Sequence, residues 1–427
     1  MPVPHDVCES SVPAPVLHAR TVRVDAPSDL LDLLPDTPED LAFLRQGSGF
    51  VGSGCVARVD CRTIAEADAW WSRFRFTHDD PDGVDAPGVM AFGHFLFDPD
   101  NTEATAVLTV PAWVVGRRGD TAWMTVIDAA SPTDRFPEPR LPEPGPPRRP
   151  AGEITYSDGA ISPLAWEGRV QGAIEHIRAG ELDKAVLARD LLAVGLEGID
   201  PRHVAANLTT MYERCWTAMV DGWVGASPEM LVRRRDGLVT SRVLAGTIGR
   251  TSDEDSDRAL ATHLARSSKD LGEHQYAVAS VAEALEPWCS GMNVPDAPYV
   301  LELPNVFHLA SDVTGVAKPG ASSLGLAAAL HPSAAVCGTP TATARTLIAG
   351  LEGMDRGRYA GPIGWIDQDG DGEWAIALRG GTITEGRARL FAGCGIVADS
   401  DPTAELAESN AKMIPMREAL ETVTPPQ

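Results

Sequence analysis

The sequence predicts a protein that combines β-strands with α-helices, and two observations carry that prediction. Apolar runs of strand length lie at 89–97, 106–115 and 121–127, with turn residues between them. Helical periodicity follows at 164–179, and Gly180 ends that helix. Both kinds of element are therefore expected.

Residues 21–130 are predicted to be rich in strands. Residues 1–20 contain many prolines and are expected to be loose, and a strand-like pattern begins at Thr21. Prolines are so frequent at 131–152 that this segment is expected to be an extended linker or a surface loop. Its composition does not decide between a linker separating domains and an insertion at the edge of one domain.

The second half of the chain contains the sharper patterns. Lys184 opens a strand-like run, and residues 239–249 are predicted to form a strand that leads into a Gly-Thr turn. A long helical stretch is predicted at 257–285, and residues 359–379 are predicted to form a hairpin. Glu229 follows a Ser-Pro turn.

The stretch from Arg379 to Lys412 ends in a predicted helix. A glycine turn is expected at 393–395, and Asp401 is placed to cap a helix that begins at Pro402. On that helix Glu405, Glu408 and Lys412 lie at i, i+3 and i+7, on one face. Two readings stay open for this face: a solvated surface, or two carboxylates that hold a metal-bound anion.

Charge and composition exclude several classes of partner. The net charge of −24 offers no basic stripe for nucleic acid or an anionic membrane. An anionic small substrate would need a local basic pocket. The sequence shows no signal peptide and no apolar run of bilayer length. The seven cysteines have no CxxC spacing, so neither disulfides nor zinc are indicated, and a cytoplasmic location is expected.

Lysine is rare in this chain. Of 36 basic residues only Lys184, Lys269, Lys318 and Lys412 are lysines. Arginine cannot lose its proton in a protein, whereas lysine can be tuned into a base. Each lysine is therefore a candidate functional residue, with Lys318, in a loop-like segment, as the expected exception.

Ten sequence blocks in order resemble the chorismate-utilising enzymes, a family that includes isochorismate synthases, salicylate synthases, anthranilate synthase component I and aminodeoxychorismate synthase component I. The resemblance runs from about residue 182 to 420. The blocks are DKAVLAR, ASPEML, LAGTIGR, SSKDLGEH, ELPNVFHLASDVTG, LHPSAAVCGTP, RGRYAGPIGW, WAIALR, AGCGIVADSDP and ELAESNAK.

This resemblance implies an α+β fold like that of anthranilate synthase component I, with large antiparallel sheets flanked by helices. The whole chain, 1–427, is then expected to be one two-lobed catalytic domain. Its parts would be a strand-rich N-terminal part at 21–130, a proline-rich loop at 131–152 and a chorismate-binding core at 160–423.

Within the family the chain looks most like an isochorismate synthase. Members that use water resemble it in having a lysine at the position of Lys184, and common aminodeoxychorismate synthases have a lysine where this chain has Ala245. The block around His331 also resembles isochorismate synthases. Salicylate synthase, which goes on to eliminate pyruvate, is the alternative. An inactive relative or an amidotransferase subunit is a third reading, which the intact candidate residues disfavour.

The resemblance also implies roles for particular residues. Lys184 would be the base that activates water and Glu229 the acid that protonates the leaving hydroxyl of chorismate. Mg²⁺ would be held by Glu273 and Glu408, with Glu405 acting through water. The substrate-binding residues would be Gly246, Thr247, His308, Tyr359, Arg379, Gly393, Gly395 and Lys412. His308 is about as well explained by a structural role.

The resemblance implies a self-contained enzyme with Mg²⁺ as cofactor and chorismate as substrate. No glutamine amidotransferase partner is expected, and relatives of this type are often monomers. The sequence leaves open whether the product enters menaquinone, siderophore or specialised metabolism.

Overall fold

Two large β-sheets organise the fold, as a computed structural model of the chain shows. The structure describes residues 14–129, 138–251, 253–302 and 306–422, and of residues 245, 247, 269, 270 and 273 it describes the backbone alone. Within these residues, 13 strands form one sheet and ten form the other. Every strand pairing is antiparallel except the one between the first and fifth strands.

The strands are β1 (Val16–Val24), β2 (Leu41–Arg45), β3 (Ser48–Ser53), β4 (Ala57–Cys61), β5 (Arg75–Asp79), β6 (Met90–His94), β7 (Ala106–Val110), β8 (Trp113–Arg118), β9 (Thr121–Asp128), β10 (Ile154–Asp158), β11 (Lys184–Gly195), β12 (Trp216–Val220), β13 (Trp223–Ser227), β14 (Met230–Arg235), β15 (Leu238–Gly249), β16 (Cys289–Asn293), β17 (Tyr299–Glu302), β18 (Val306–Ala317), β19 (Gly338–Thr339), β20 (Pro362–Asp367), β21 (Gly372–Ile376), β22 (Gly380–Thr384) and β23 (Arg387–Ile396). The helices are α1 (Ile64–Trp71), α2 (Pro163–Arg178), α3 (Pro201–Met211), α4 (Glu254–Arg266), α5 (Ser268–Leu285), α6 (Ser323–Leu330), α7 (Thr341–Leu351) and α8 (Pro402–Glu421).

Strands from both halves of the chain are mixed in each sheet. The larger sheet has the order β10-β11-β23-β22-β13-β12-β2-β3-β8-β9-β1-β5, with β19 beside β11. The smaller sheet has the order β16-β18-β15-β14-β21-β20-β6-β7-β4, with β17 beside β18. The N-terminal part joins the rest through β2–β12 in one sheet and β6–β20 in the other. Each sheet therefore contains a strand pair that joins the two parts.

Several predicted elements are confirmed. Helix α2 begins after Ser162, whose side chain caps it, and Gly180 has a positive φ of 79° just beyond its end. Strand β9 matches the predicted run at 121–127, and β20 and β21 form the predicted hairpin. Helix α8 begins at Pro402, and the Asp401 side chain accepts a hydrogen bond from the Ala404 N–H.

The apolar run at 106–115 is two strands rather than one. Strand β7 pairs with β4 and β6 in the smaller sheet, whereas β8 pairs with β3 and β9 in the larger sheet. The break falls at Pro111, which has no N–H to donate to a ladder. The apolar run therefore crosses from one sheet to the other.

Four further predictions are wrong. One concerns where a strand begins, one a helix that is two helices, and two concern turns that lie inside strands. Strand β1 begins at Val16, within the segment expected to be loose, because it pairs with β5 and β9. The helical stretch 257–285 is two helices, since Ser267 between α4 and α5 has an extended backbone. The predicted Gly246-Thr247 turn is an irregularity inside β15, where the register against β18 shifts. The predicted glycine turn at 393–395 lies inside β23.

The proline-rich loop is described from residue 138 onward, where residues 138–152 form neither helix nor strand. The rest of the predicted loop, 131–137, lies outside the described residues. The described part packs against the N-terminal region: the Gly145 N–H donates to the carbonyl of Asp32 at 2.7 Å, and Arg148 pairs with Asp29 at 2.8 Å.

Among the described residues, no helix combines the length and the apolar character needed to cross a bilayer. The six cysteines in this part of the chain are free thiols, and Cys8 lies outside it.

Candidate active site

The floor of the site is formed by the paired strands β11 and β23. Val186 lies opposite Gly395, and Ala188 lies opposite Gly393. Lys184, the first residue of β11, shares a face with Val186 because strand side chains alternate. Its side chain leans over Gly395, so that a Cβ built there would lie 2.7 Å from Lys184 Cε. The predicted base therefore lies across the neighbouring strand.

Glu229 connects β13 to β14 and brings a carboxyl group close to several cations. Its N–H donates to Ser227 Oγ at 3.2 Å, and its carbonyl accepts from the Ile376 N–H at 3.0 Å. Burial raises the pKa of the Glu229 carboxyl to about 7, and the charges of Lys184, Lys412 and Arg379 oppose that rise. The carboxyl thus keeps a large protonated fraction near neutral pH while facing three cations.

Arg379 lies between β21 and β22 with a positive φ of 48°. Its carbonyl accepts from the Ala226 N–H at 3.1 Å, which ties it to β13. Burial lowers the pKa of the guanidinium from its usual value. Among the described residues no acidic side chain pairs with it, so it is suited to an anionic ligand.

Tyr359 stands beside the same floor in an aromatic stack. Its ring is 5 % exposed and lies parallel to Phe391, with centroids 5.0 Å apart and planes at 10°. Trp223 packs against both rings at 6.4 Å and 6.2 Å. A Cβ built on Gly393 would lie 3.3 Å from the Tyr359 hydroxyl oxygen. Burial raises the pKa of Tyr359, so its hydroxyl remains a donor.

Helix α8 places its predicted polar face against β23. Lys412 Nζ donates to the Gly393 carbonyl at 2.9 Å and pairs with Glu408 at 2.6 Å. Glu405 accepts from Ser400 Oγ at 2.7 Å, and burial raises its pKa. The ligand atoms of Cys394, Glu405 and Glu408 all lie within 4.8 Å of one another. The predicted solvated face is therefore partly turned toward the floor of the site.

The donor set of this cluster fits Mg²⁺ better than a softer metal. Burial raises the pKa of the Cys394 thiol to about 12, so it remains protonated at neutral pH. Its Sγ donates instead to the carbonyl of Glu405 at 3.4 Å. Two carboxylates remain, and Mg²⁺ is usually held by one or two carboxylates together with waters and substrate.

His308 lies on β18, opposite Thr247 of β15. Burial, together with the charges of Arg379 and Lys412, lowers the pKa of its ring to about 4, and a hydrogen bond to the Gly246 backbone opposes that shift. The ring is therefore neutral at physiological pH. It borders the same cationic pocket, which is compatible with both of the roles considered for it.

Two predicted site residues have side chains outside the described part of the structure. Thr247 lies on β15 and Glu273 on α5, and only their backbone positions are described. Their roles remain predictions. Lys318, the expected exception among the lysines, lies in a loop, and its Nζ donates to the carbonyls of Glu286 and Pro287. His331 Nε2 donates to the carbonyls of Leu96 and Phe97.

Sequence reasoning missed the aromatic support of the site. Trp223 and Phe391 hold the Tyr359 ring from behind, and neither was a candidate. A two-residue period links Phe391, Gly393 and Gly395, and this pattern would have placed all three on one strand face. The glycines concealed the pattern because glycine is uncommon inside strands.

Comparison with known proteins gives the family. A family model described as chorismate binding enzyme matches residues 26–421. The chain is 40% identical over 283 residues to the salicylate biosynthesis isochorismate synthase of Pseudomonas aeruginosa, a match covering 65% of this chain and 59% of that protein. It is 37% identical over 282 residues to isochorismate synthase DhbC of Bacillus subtilis, covering 63% of this chain and 71% of that one.

A solved structure shows the same fold. MenF, the menaquinone-specific isochorismate synthase from Escherichia coli, superposes with a TM-score of 0.79 at 24% identity over 95% of each chain, which confirms the predicted α+β fold. The chain spans about three fifths of the length of the Pseudomonas relative. The match of the family model over nearly all of the sequence decides the assignment: the chain belongs to the chorismate binding enzymes.

Proposed function

We propose that this protein is an isochorismate synthase that interconverts chorismate and isochorismate. One observation supports the proposal most directly: a carboxyl group with a pKa of about 7, Glu229, lies within electrostatic reach of a lysine, Lys184. A base and an acid near neutral pH are what the reaction needs. The names of the relatives from Pseudomonas and Bacillus favour the same activity.

In the proposed mechanism neutral Lys184 removes a proton from water as the oxygen attacks C2 of the chorismate ring. The ring double bonds shift, the bond from C4 to its hydroxyl oxygen breaks, and Glu229 donates the proton that turns the leaving hydroxyl into water. One water enters and one leaves, so the reaction is an isomerisation.

The cationic groups of the site suit a substrate with two carboxylates. Arg379 would bind the enolpyruvyl carboxylate with its two parallel N–H groups, and Tyr359 would add a hydroxyl donor. Lys412, fixed against the Gly393 carbonyl, adds a further positive charge. These groups would provide the local basic pocket that a chain of net charge −24 needs.

Mg²⁺ is the proposed cofactor. Glu408 and Glu273 would hold it, with Glu405 acting through water, and the metal would supply positive charge to the ring carboxylate of the substrate. The protein groups then orient the ring between Lys184 and Glu229. Since Lys412 pairs with Glu408, it would help to fix the orientation of that carboxylate.

The experiment that tests the proposal is NMR analysis of the products after purified protein is incubated with chorismate, with and without Mg²⁺. The expected result is a mixture approaching equilibrium between chorismate and isochorismate, formed only with Mg²⁺. Salicylate with an equal amount of pyruvate would instead indicate a salicylate synthase. Unchanged chorismate in the presence of Mg²⁺ would contradict both activities.

A further inference from the structure

Two glycines on one face of β23 have no conformational reason to be glycine. Gly393 and Gly395 lie in regular strand, and neither belongs to the glycines with a positive φ. Cys394 and Ile396, which point to the opposite face, are fully buried. A β-branched residue would suit such a strand better than glycine, so the reason must be space.

The space above Gly395 is occupied by the predicted base. The three atoms nearest to a Cβ built on Gly395 all belong to Lys184: Cε at 2.7 Å, Nζ at 3.3 Å and Cδ at 3.9 Å. A contact of 2.7 Å is shorter than carbon atoms tolerate, so the lysine would have to move. The geometry follows from pairing, because Val186 lies opposite Gly395 and Lys184 is its diagonal neighbour.

We propose that Gly395 is a positioning residue for Lys184: the absence of a side chain at 395 lets the lysine lie flat across β23 and fixes where its amine stands. The role of that amine as the base rests on the proposed function, whereas the position of the Lys184 side chain over Gly395 does not. This differs from a direct substrate contact through the Gly395 backbone, because alanine keeps the same N–H and carbonyl.

Gly395→Ala is a suitable test because the clash involves only the far end of a flexible side chain. The variant should therefore fold. A displacement of about 1 Å in a reacting group can cost about 10²-fold in rate. We expect kcat for chorismate to fall by about 10- to 100-fold, while KM changes by less than about threefold.

A double-mutant cycle with Lys184→Gln separates positioning from substrate binding. If Gly395 acts through the lysine, Gly395→Ala changes kcat by less than about twofold once Lys184 is gone, since the two effects are not additive. An equal loss of kcat in both backgrounds would overturn the proposal. So would a large rise in KM in both backgrounds, because the methyl group would then be blocking the substrate itself.

A second measurement does not depend on enzymatic activity. The chain has only four lysines, so ¹³C-lysine labelling gives a simple Cε–Hε NMR spectrum in which Lys184→Gln identifies the signal of Lys184. Gly395→Ala should shift that signal and leave the signal of Lys318 unchanged. Gly168→Ala in α2, where a Cβ meets nothing within 4 Å, is the matched control. An unmoved Lys184 signal would overturn the proposal even if the protein converts no chorismate.

Discussion

Lys184 and Lys318 show how two lysines of one chain differ in their surroundings. Lys318 Nζ donates to two backbone carbonyls, those of Glu286 and Pro287, which is a structural arrangement. Lys184 lies instead over the floor of the site, within reach of Glu229. Because lysine is rare in the sequence, each lysine is a candidate functional residue, with Lys318 as the expected exception. The hydrogen bonds of Lys318 to backbone carbonyls distinguish it from Lys184.

Replacing Lys184 by Gln should lower kcat for chorismate by about 10²–10⁴-fold, because a positioned base contributes about that much. Steady-state kinetics with purified protein measure the effect. Lys318→Gln is the matched control and should keep kcat within about twofold, since its Nζ donates to the backbone carbonyls of Glu286 and Pro287. Turnover of Lys184→Gln within a few-fold of the unmodified protein would rule out the base role.

Glu229→Gln should change how stability depends on pH. The folded protein raises the pKa of Glu229 to about 7, so this group favours the folded state below its unfolded pKa and loses that contribution as the pH rises through about 7. The variant lacks this titration. Between pH 5.5 and 8 the unmodified protein should therefore lose stability relative to the variant. The difference in free energy of unfolding should be on the order of 1–3 kcal/mol.

Urea unfolding at several pH values measures this difference. Glu421→Gln is a suitable control, because Glu421 lies at the end of α8 and accepts a hydrogen bond from the Tyr156 hydroxyl. Parallel stability curves for Glu229→Gln and the unmodified protein across this pH range would mean that the carboxyl is not perturbed. Chorismate turnover should be lost in Glu229→Gln at every pH, since an amide cannot donate the acidic proton.

At the scale of single elements, the sequence predicted those helix starts and turns that neighbouring residues determine. Helix α8 carries its own start signal in Asp401 and Pro402, and the β20–β21 hairpin carries its own turn at 367–371. Elements set by distant contacts were missed. Lys184 lies over Gly395 of strand β23, the Tyr359 hydroxyl lies near Gly393, and both side chains come from residues far away in the sequence.

The candidate site shows the same difference between features set by local sequence and features set by distant contacts. Lys184, Glu229 and the face of α8 could be found from residue type, spacing and family resemblance, and the structure brings their described side chains around one strand pair. The support of Tyr359 by Trp223 and Phe391 depends on how β13 and β23 are ordered in the sheet. Nothing local to either residue indicates that order.

Helix α8 gives a test of the proposed metal. Glu408→Gln removes one carboxylate of the cluster and weakens the ion pair with Lys412, so Mg²⁺ should bind at least about tenfold more weakly. Thermal unfolding with increasing Mg²⁺, in the presence of chorismate, measures this. Mg²⁺ at 100 times its Kd should stabilise the folded unmodified protein by about 2.7 kcal/mol, and the same Mg²⁺ concentration should stabilise Glu408→Gln less.

The same titration has its own control on α8. Glu421→Gln should keep the full response to Mg²⁺, because Glu421 contacts Tyr156 and Arg417 at the other end of the helix. Chelation with EDTA should reverse the stabilisation of the unmodified protein. An equal Mg²⁺ response in Glu408→Gln and the unmodified protein would place the metal elsewhere or exclude it.

At the scale of the whole molecule, the two sheets decide how the chain folds. Strand β12 has β2 as its neighbour, and β20 has β6, so each sheet is completed by strands from both sides of the proline-rich segment. The composition of residues 131–152 left open whether the segment separates two domains. The sheet order instead makes the two parts depend on each other, because each would expose an unpaired strand edge without the other.

A fragment of residues 153–427 should therefore fail to fold independently, although it holds every candidate site residue. It would expose the edges of β12 and β20 and the apolar faces that β2 and β6 cover, which favours aggregation over a native state. The full chain should unfold in one cooperative transition when followed by both tryptophan fluorescence and circular dichroism. Adding a separately produced fragment of residues 1–152 during refolding should restore soluble protein and any chorismate turnover. A soluble 153–427 fragment with its own cooperative transition would show instead that the site-bearing part is an independent domain and that the shared strands are a docking interface.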